Sequence, residues 1–206
     1  MTKKTLLTLT AFLLMAGCLY AQPGQKMKER KFVYMTTAGF SAGVGQLNFE
    51  EGTRSIANHI PVFDIHQLIA YQFNPYVFTG IGVGLDIWKH TAFIPIYANV
   101  SVNFIDRKIT PHWYLNVGYA FKWYISSKPE DITYVIHGSR TGLHGETGLG
   151  INIKINDKVS ILVVGDYKLQ DSHMRYSVNN PHEDKTTNRE THMLYHFAGV
   201  KFSVLY

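Results

Sequence analysis

Along most of the chain from Lys31 to Tyr206, hydrophobic and polar positions alternate with a period of two. That alternation sends successive side chains to opposite faces of a β-strand. The last segment, Leu194 to Tyr206, is the clearest guide. Ala198, Val200, Phe202, Val204 and Tyr206 fall on one face, and Gly199, Lys201 and Ser203 on the other. An apolar face backed by a lysine suits a strand with lipid outside and a wet or polar interior.

Counting the closing one, eight such segments are expected. The first runs from Phe32 to about Leu47. The second, Ile60 to Phe73, turns Phe63, Ile65, Ile69 and Tyr71 outward against Asp64 and His66, with Gln67 a blemish on its apolar face. The third, Tyr76 to Trp88, sets Ile81, Val83, Leu85 and Ile87 against Gly80, Gly82, Gly84 and Asp86. The fourth, Ala92 to Ile105, sets Ile94, Ile96, Val100 and Val102 against Tyr97, Asn99 and Asn103. The fifth, Trp113 to Ile125, has Asn116 and Lys122 on its polar face. The sixth, Ser139 to Ile155, has Arg140, His144, Glu146 and Lys154, and the seventh, Val159 to about Gln170, has Asp166 and Lys168.

The connections are unequal. Those after strands two, four and six are short and hold Asn, Asp or Pro, which favour tight turns. Glu50–His59, Ser126–Gly138 and Asp171–Thr191 are longer and polar, and Lys89–Thr91 is the short exception. Short turns at one end and longer loops at the other require an even strand number, and backbone in hydrocarbon must be fully paired, so the sheet has to close. The expected fold is all-β: an eight-stranded antiparallel up-and-down transmembrane β-barrel over residues 31–206. Aromatic residues fit interfacial girdles, with Tyr76, Phe104, Trp113 and Tyr114 at the turn end and Trp88, Trp123 and Tyr124 at the loop end.

The amino terminus supports export. In residues 1–21, Lys3 and Lys4 precede the apolar run Leu6 to Met15, and Ala21 stands at a cleavage position, as in a secretory signal. The run is too short to span a bilayer as a helix. Residues 22–30 read as a short periplasmic tail. Cys18, the single cysteine, lies in Met15-Ala16-Gly17-Cys18; it is either a lipidated amino terminus or lost with the leader. In the second case neither disulfide nor thiol chemistry is available. A mean hydropathy of −0.07 suits a barrel, whose two faces average out. The net charge of +5 is spread along the chain, so nucleic acid is not an expected partner.

The terminal segment, with Val200, Phe202, Val204 and Tyr206, resembles the closing strand and assembly signal of bacterial outer-membrane barrels. Asn74-Pro75-Tyr76-Val77-Phe78-Thr79-Gly80-Ile81-Gly82-Val83-Gly84, Ile94-Pro95-Ile96-Tyr97-Ala98-Asn99-Val100 and Asn156-Asp157-Lys158 resemble the small porin-like outer-membrane β-barrel domain of Bacteroidetes-type bacteria. The resemblance implies outer-membrane localisation, with membrane lipid, lipopolysaccharide and the barrel-assembly machinery as partners. It carries no catalytic residue across.

Candidate chemistry lies on the inward face. Asp64, Asp86, Glu146 and Asp166 oppose Lys122, Arg140, Lys154, Lys168 and Lys201, with His66 and His144 nearby. Opposite charges in a narrow lumen compensate one another, and eight strands leave an interior that side chains can fill. A closed, salt-bridged lumen is expected, with a structural, adhesive or envelope-interaction role; a narrow porin-like channel for small solutes or ions is the alternative. The glycine-rich faces leave room either for water or for rings such as Tyr97.

A lipid A-modifying enzyme needs a serine activated by a base, for which Ser172 beside His173 and Ser177 near Arg175 are the candidates. A secreted lipocalin-like binder would invert the faces. His59, His90, His137, His173, His182 and His192 cluster toward the loop end without metal-ligand spacing. No cofactor or metal is indicated. Loop 171–191 is the expected contact for an extracellular ligand.

Overall fold

A computed structural model describes residues 31–49, 54–88, 91–125, 134–140, 142–156, 159–180 and 185–206. The expected leader, its cleavage site, Cys18 and the tail at 22–30 lie outside these residues. The strands are β1 Lys31–Val44, β2 Gln46–Phe49, β3 Arg54–Ala57, β4 Pro61–Gln72, β5 Val77–Trp88, β6 Thr91–Asn103, β7 Ile109–Ile125, β8 Tyr134–Arg140, β9 Gly142–Lys154, β10 Ser160–Asn180 and β11 Lys185–Leu205.

Eight of them, β1, β4, β5, β6, β7, β9, β10 and β11, are staves of one closed antiparallel barrel. Each pairs with the next, and β11 pairs with both β10 and β1. Paired positions followed once around the wall run Leu205, Met35, Leu68, Gly82, Tyr97, Gly118, His144, Gln170, and return to β11 at Tyr195, ten residues from the start. A shear of that size tilts the staves by roughly 40° and leaves an interior that side chains fill.

The turns show their chemistry. Asn74 Oδ1 accepts hydrogen bonds from the backbone N–H groups of Tyr76 and Val77, both at 2.8 Å, and Asn156 Oδ1 accepts one from Val159 at 2.8 Å. An asparagine side chain bonding its own downstream backbone pins each hairpin and therefore the register of the staves that follow. At the opposite end Gly45, with φ of 79°, makes a break between β1 and β2 that a side chain would strain.

The two faces separate by polarity as the alternation requires. Phe32, Phe63, Ile81, Leu149 and Phe202 are each more than half exposed on the outside. Asp64, His66, Asp86, Asn99, Glu146, Lys168 and Lys201 are buried inside. This arrangement excludes the inverted, lipocalin-like packing.

Four expectations change. Residues 171–180 and 185–191 are strand, not loop: β10 and β11 continue paired as far as Asn180 and Lys185, the two arms of a hairpin beyond the barrel. β8, expected to lie largely in a loop, pairs with the β10 extension, and β2, at the end of the first expected strand, forms a small hairpin with β3, which lies within the stretch expected as the loop Glu50–His59. Beyond the lipid a strand loses its apolar face, so polar composition there imitates a loop. Finally, two girdle assignments are wrong. Trp88 and Tyr114 are buried inside the barrel, whereas Trp123 is 67% exposed on the outside.

Candidate functional site

The lumen is filled in tiers. At the turn end Met35, Leu68, Phe78, Tyr97, Leu162 and Leu205 belong to one buried apolar cluster. At the loop end Val62, Trp88, Phe93, Met193, Tyr195 and Phe197 form another. Trp88 is its hub, with ring centres 4.6 Å from Phe93, 5.1 Å from Tyr195 and 4.8 Å from Phe197.

Between the clusters lies a buried layer of charge. Lys168 of β10 donates to Asp64 Oδ2 of β4 at 3.1 Å and to Asp86 Oδ2 of β5 at 2.9 Å. Asp86 also bonds His66 Nε2 at 2.8 Å. Lys201 of β11 lies 3.2 Å from Asp64 Oδ1 and 2.8 Å from Glu146 Oε1, close enough to pair although its N–H groups are not aligned as hydrogen bonds. Tyr114 O–H donates to Glu146 Oε1, and His144 Nε2 stands 3.7 Å from Glu146 Oε2. His144 Nδ1 in turn lies 3.1 Å from Gln170 Oε1. These side chains come from β4, β5, β7, β9, β10 and β11, so the layer ties together walls that are far apart in the sequence.

A second, uncharged network lies on β6, β7 and β9. Asn99 Nδ2 donates to Asn116 Oδ1 at 2.7 Å, and Ser101 donates to Asn99 Oδ1 at 2.9 Å. His112 Nδ1 and Asn152 Nδ2 meet Asn103 Oδ1 at 2.9 and 3.2 Å. The inward glycines accommodate rings. A Cβ on Gly82 would overlap the Tyr97 ring, and one on Gly84 would overlap the His66 imidazole.

The expected charge set divides accordingly. Asp64, Asp86, Glu146, Lys168 and Lys201 meet in one network. Asp166 is buried, but neither carboxylate oxygen accepts a hydrogen bond from a described residue. Lys154 is not part of the central layer: it pairs with Asp106 at the turn end, where both side chains are about two-fifths exposed, because its position is the last on β9. Lys122 is partly buried on β7, beyond Ala120, and joins no ion pair among the described residues. The Arg140 side chain lies outside what is described. Reasoning from charges alone passed over Tyr114, Gln170 and the asparagine network. Their inward parity with Asn116, Lys168 and Asn99 was the available signal.

For catalysis, Ser172 and His173 lie in regular pairing within β10, opposite Met193 and His192, not in the loop conformation that would bring them together. Ser177 likewise pairs, opposite Asn188. Among the described residues no group of three or more His, Cys, Asp or Glu side chains is arranged to hold a metal.

No protein-family model matches the chain, and no curated protein matches it. Solved structures do. Neisserial surface protein A is 10% identical with a TM-score of 0.53, over 86% of this chain and 98% of that one. The outer membrane protein OprG from Pseudomonas aeruginosa is also 10% identical with a TM-score of 0.53, over 86% of this chain and 99% of that one. The fold is that of small outer-membrane β-barrels. The outer membrane enzyme PagL, 8% identical with a TM-score of 0.43 over 81% of this chain, is too distant to bear on chemistry. At such identities the likeness concerns the fold, and any role has to be argued from the lumen and the surfaces.

Proposed function

We propose that this chain is an integral outer-membrane β-barrel with a sealed lumen, acting as a structural, adhesive or envelope-interaction protein of the porin-like kind its sequence resembles. The observation that carries this reading is the Lys168–Asp64–Asp86 and Lys201–Glu146 layer, buried between two apolar clusters. Ions crossing such a lumen would have to strip their water against aromatic rings and displace paired charges, both strongly unfavourable. The apolar outer wall favours lipid as the surrounding medium, including lipopolysaccharide in the outer leaflet. Residues 1–21 would direct export. The outward Val200, Phe202, Val204 and Tyr206 of β11 would present the closing strand to the barrel-assembly machinery. The β8–β10–β11 sheet beyond the barrel would meet an extracellular ligand.

The test is conductance of the purified, folded protein in planar bilayers. The reading predicts no reproducible current steps across the physiological voltage range. A steady ohmic conductance would overturn it in favour of the narrow channel for small solutes or ions.

A further inference from the structure

The outward face of the staves is apolar at nearly every level, and one amide interrupts it near mid-height. Gln67 on β4 lies between Ile65 and Ile69, which are 59% and 51% exposed. Its cross-strand neighbours are Thr36 on β1 and Val83 on β5. Pro61 and Gln72 are the two ends of this stave. At ~3.3 Å per residue on a strand tilted by roughly 40°, Gln67 stands about 15 Å from the first and about 13 Å from the second, near the middle of the hydrocarbon.

The hydrogen bonds there run in one direction. The Tyr206 hydroxyl lies 3.3 Å from Thr36 Oγ1, and Thr36 Oγ1 donates to Gln67 Oε1 at 2.7 Å. The Gln67 amide nitrogen donates to no described residue. Three other outward side chains, Trp113, Thr147 and Tyr167, find partners within the wall. Trp113 Nε1 donates to Thr147 Oγ1 at 3.1 Å, Thr147 donates to the Tyr114 carbonyl at 2.9 Å, and the Tyr167 hydroxyl lies 2.6 Å from His196 Nδ1. Among the side chains described, Gln67 is the one amide on the outside of the barrel wall.

An amide N–H without an acceptor is costly in hydrocarbon, and phospholipid carbonyls do not reach mid-bilayer. A primary amide carries both donor and acceptor, so it is its own complement about a two-fold axis. Beside it Thr36 and Ala38 are small, which allows a second wall to approach closely. We propose that the outer face of β1 and β4 is a two-fold interface with a second copy of this chain, in which the two Gln67 amides hydrogen-bond to each other. This inference rests on the membrane placement proposed above.

Disulfide cross-linking in isolated outer membranes tests it. Gln67→Cys should yield a dimer-sized band under mild oxidation. Val117→Cys, 54% exposed on β7 across the barrel, should not, and neither should the wild type, which controls for Cys18. In detergent, Gln67→Leu should lower the dimer association constant roughly three- to fifteenfold, the range of single interchain hydrogen bonds in membranes. Equal cross-linking at both cysteines, or a wild type that sediments as a monomer at every detergent ratio, would overturn the dimer. Unboiled samples run in parallel separate the two readings. A compact heat-modifiable band in the outer-membrane fraction without cross-linking removes the dimer alone. No such band removes the membrane placement itself.

Discussion

Lys168 is fully buried, and its charge is compensated by Asp64 and Asp86 at 3.1 and 2.9 Å. Removing the cation while leaving both carboxylates buried should destabilise the barrel by about 3–5 kcal/mol. Urea unfolding of Lys168→Met in detergent micelles measures this, and a shift below about 1 kcal/mol would mean that water reaches the layer. The glycines make a second residue-level prediction. Gly82→Val would drive its side chain into the Tyr97 ring and should cost about 1–3 kcal/mol in the same assay. Gly165→Ala, whose nearest neighbouring atom would be 3.9 Å from the new methyl, should be close to neutral. Much of this layer was legible because a charged residue on an alternating strand declares its face. Trp88 and Tyr114 were misread because an aromatic near a strand end fits either a girdle or a core. Parity with Asp86 and Asn116 distinguishes the two, since residues two apart share a face.

Within the membrane the staves follow the alternation closely, because lipid on one side and packed polar groups on the other both constrain the side chains. Their extensions are different. β10 and β11 are each 21 residues long and run on together well past the last level at which β9 accompanies β10. In water neither face needs to be apolar, so the sequence of 171–191 resembles a loop while its backbone pairs as a hairpin. This makes the extension a separable element. Replacing residues 174–191 with an Asn-Gly turn should leave the compact, heat-modifiable band and change the unfolding free energy by less than about 1 kcal/mol, since the pairs it removes lie outside the packed lumen. Loss of the compact band on gels would show instead that the hairpin helps the barrel to form.

Taken as a whole, the molecule holds its paired charges buried between two apolar clusters, where salt screens them far less than at the surface. Raising NaCl from 50 to 500 mM should therefore shift the urea midpoint by the equivalent of less than about 0.5 kcal/mol. A larger loss, measured by tryptophan fluorescence during unfolding, would indicate an open lumen. The barrel itself was legible from periodicity, strand number and turn placement. Its interior tiers were not, because they depend on which inward residues share a level, and the shear of the sheet sets that. One feature of the layer also bears on how the protein is made. Asp64, Asp86, Glu146 and Asp166 come from strands that precede β11, and Lys201, the ammonium beside Glu146, comes on β11 itself. Until the final strand arrives those four carboxylates face a single ammonium of the layer, Lys168 on β10. Closure of the wall therefore also brings in the second ammonium, beside Asp64 and Glu146. A prematurely terminated product would keep both an open edge and a more acidic interior, marks by which periplasmic proteases could tell it from a finished one.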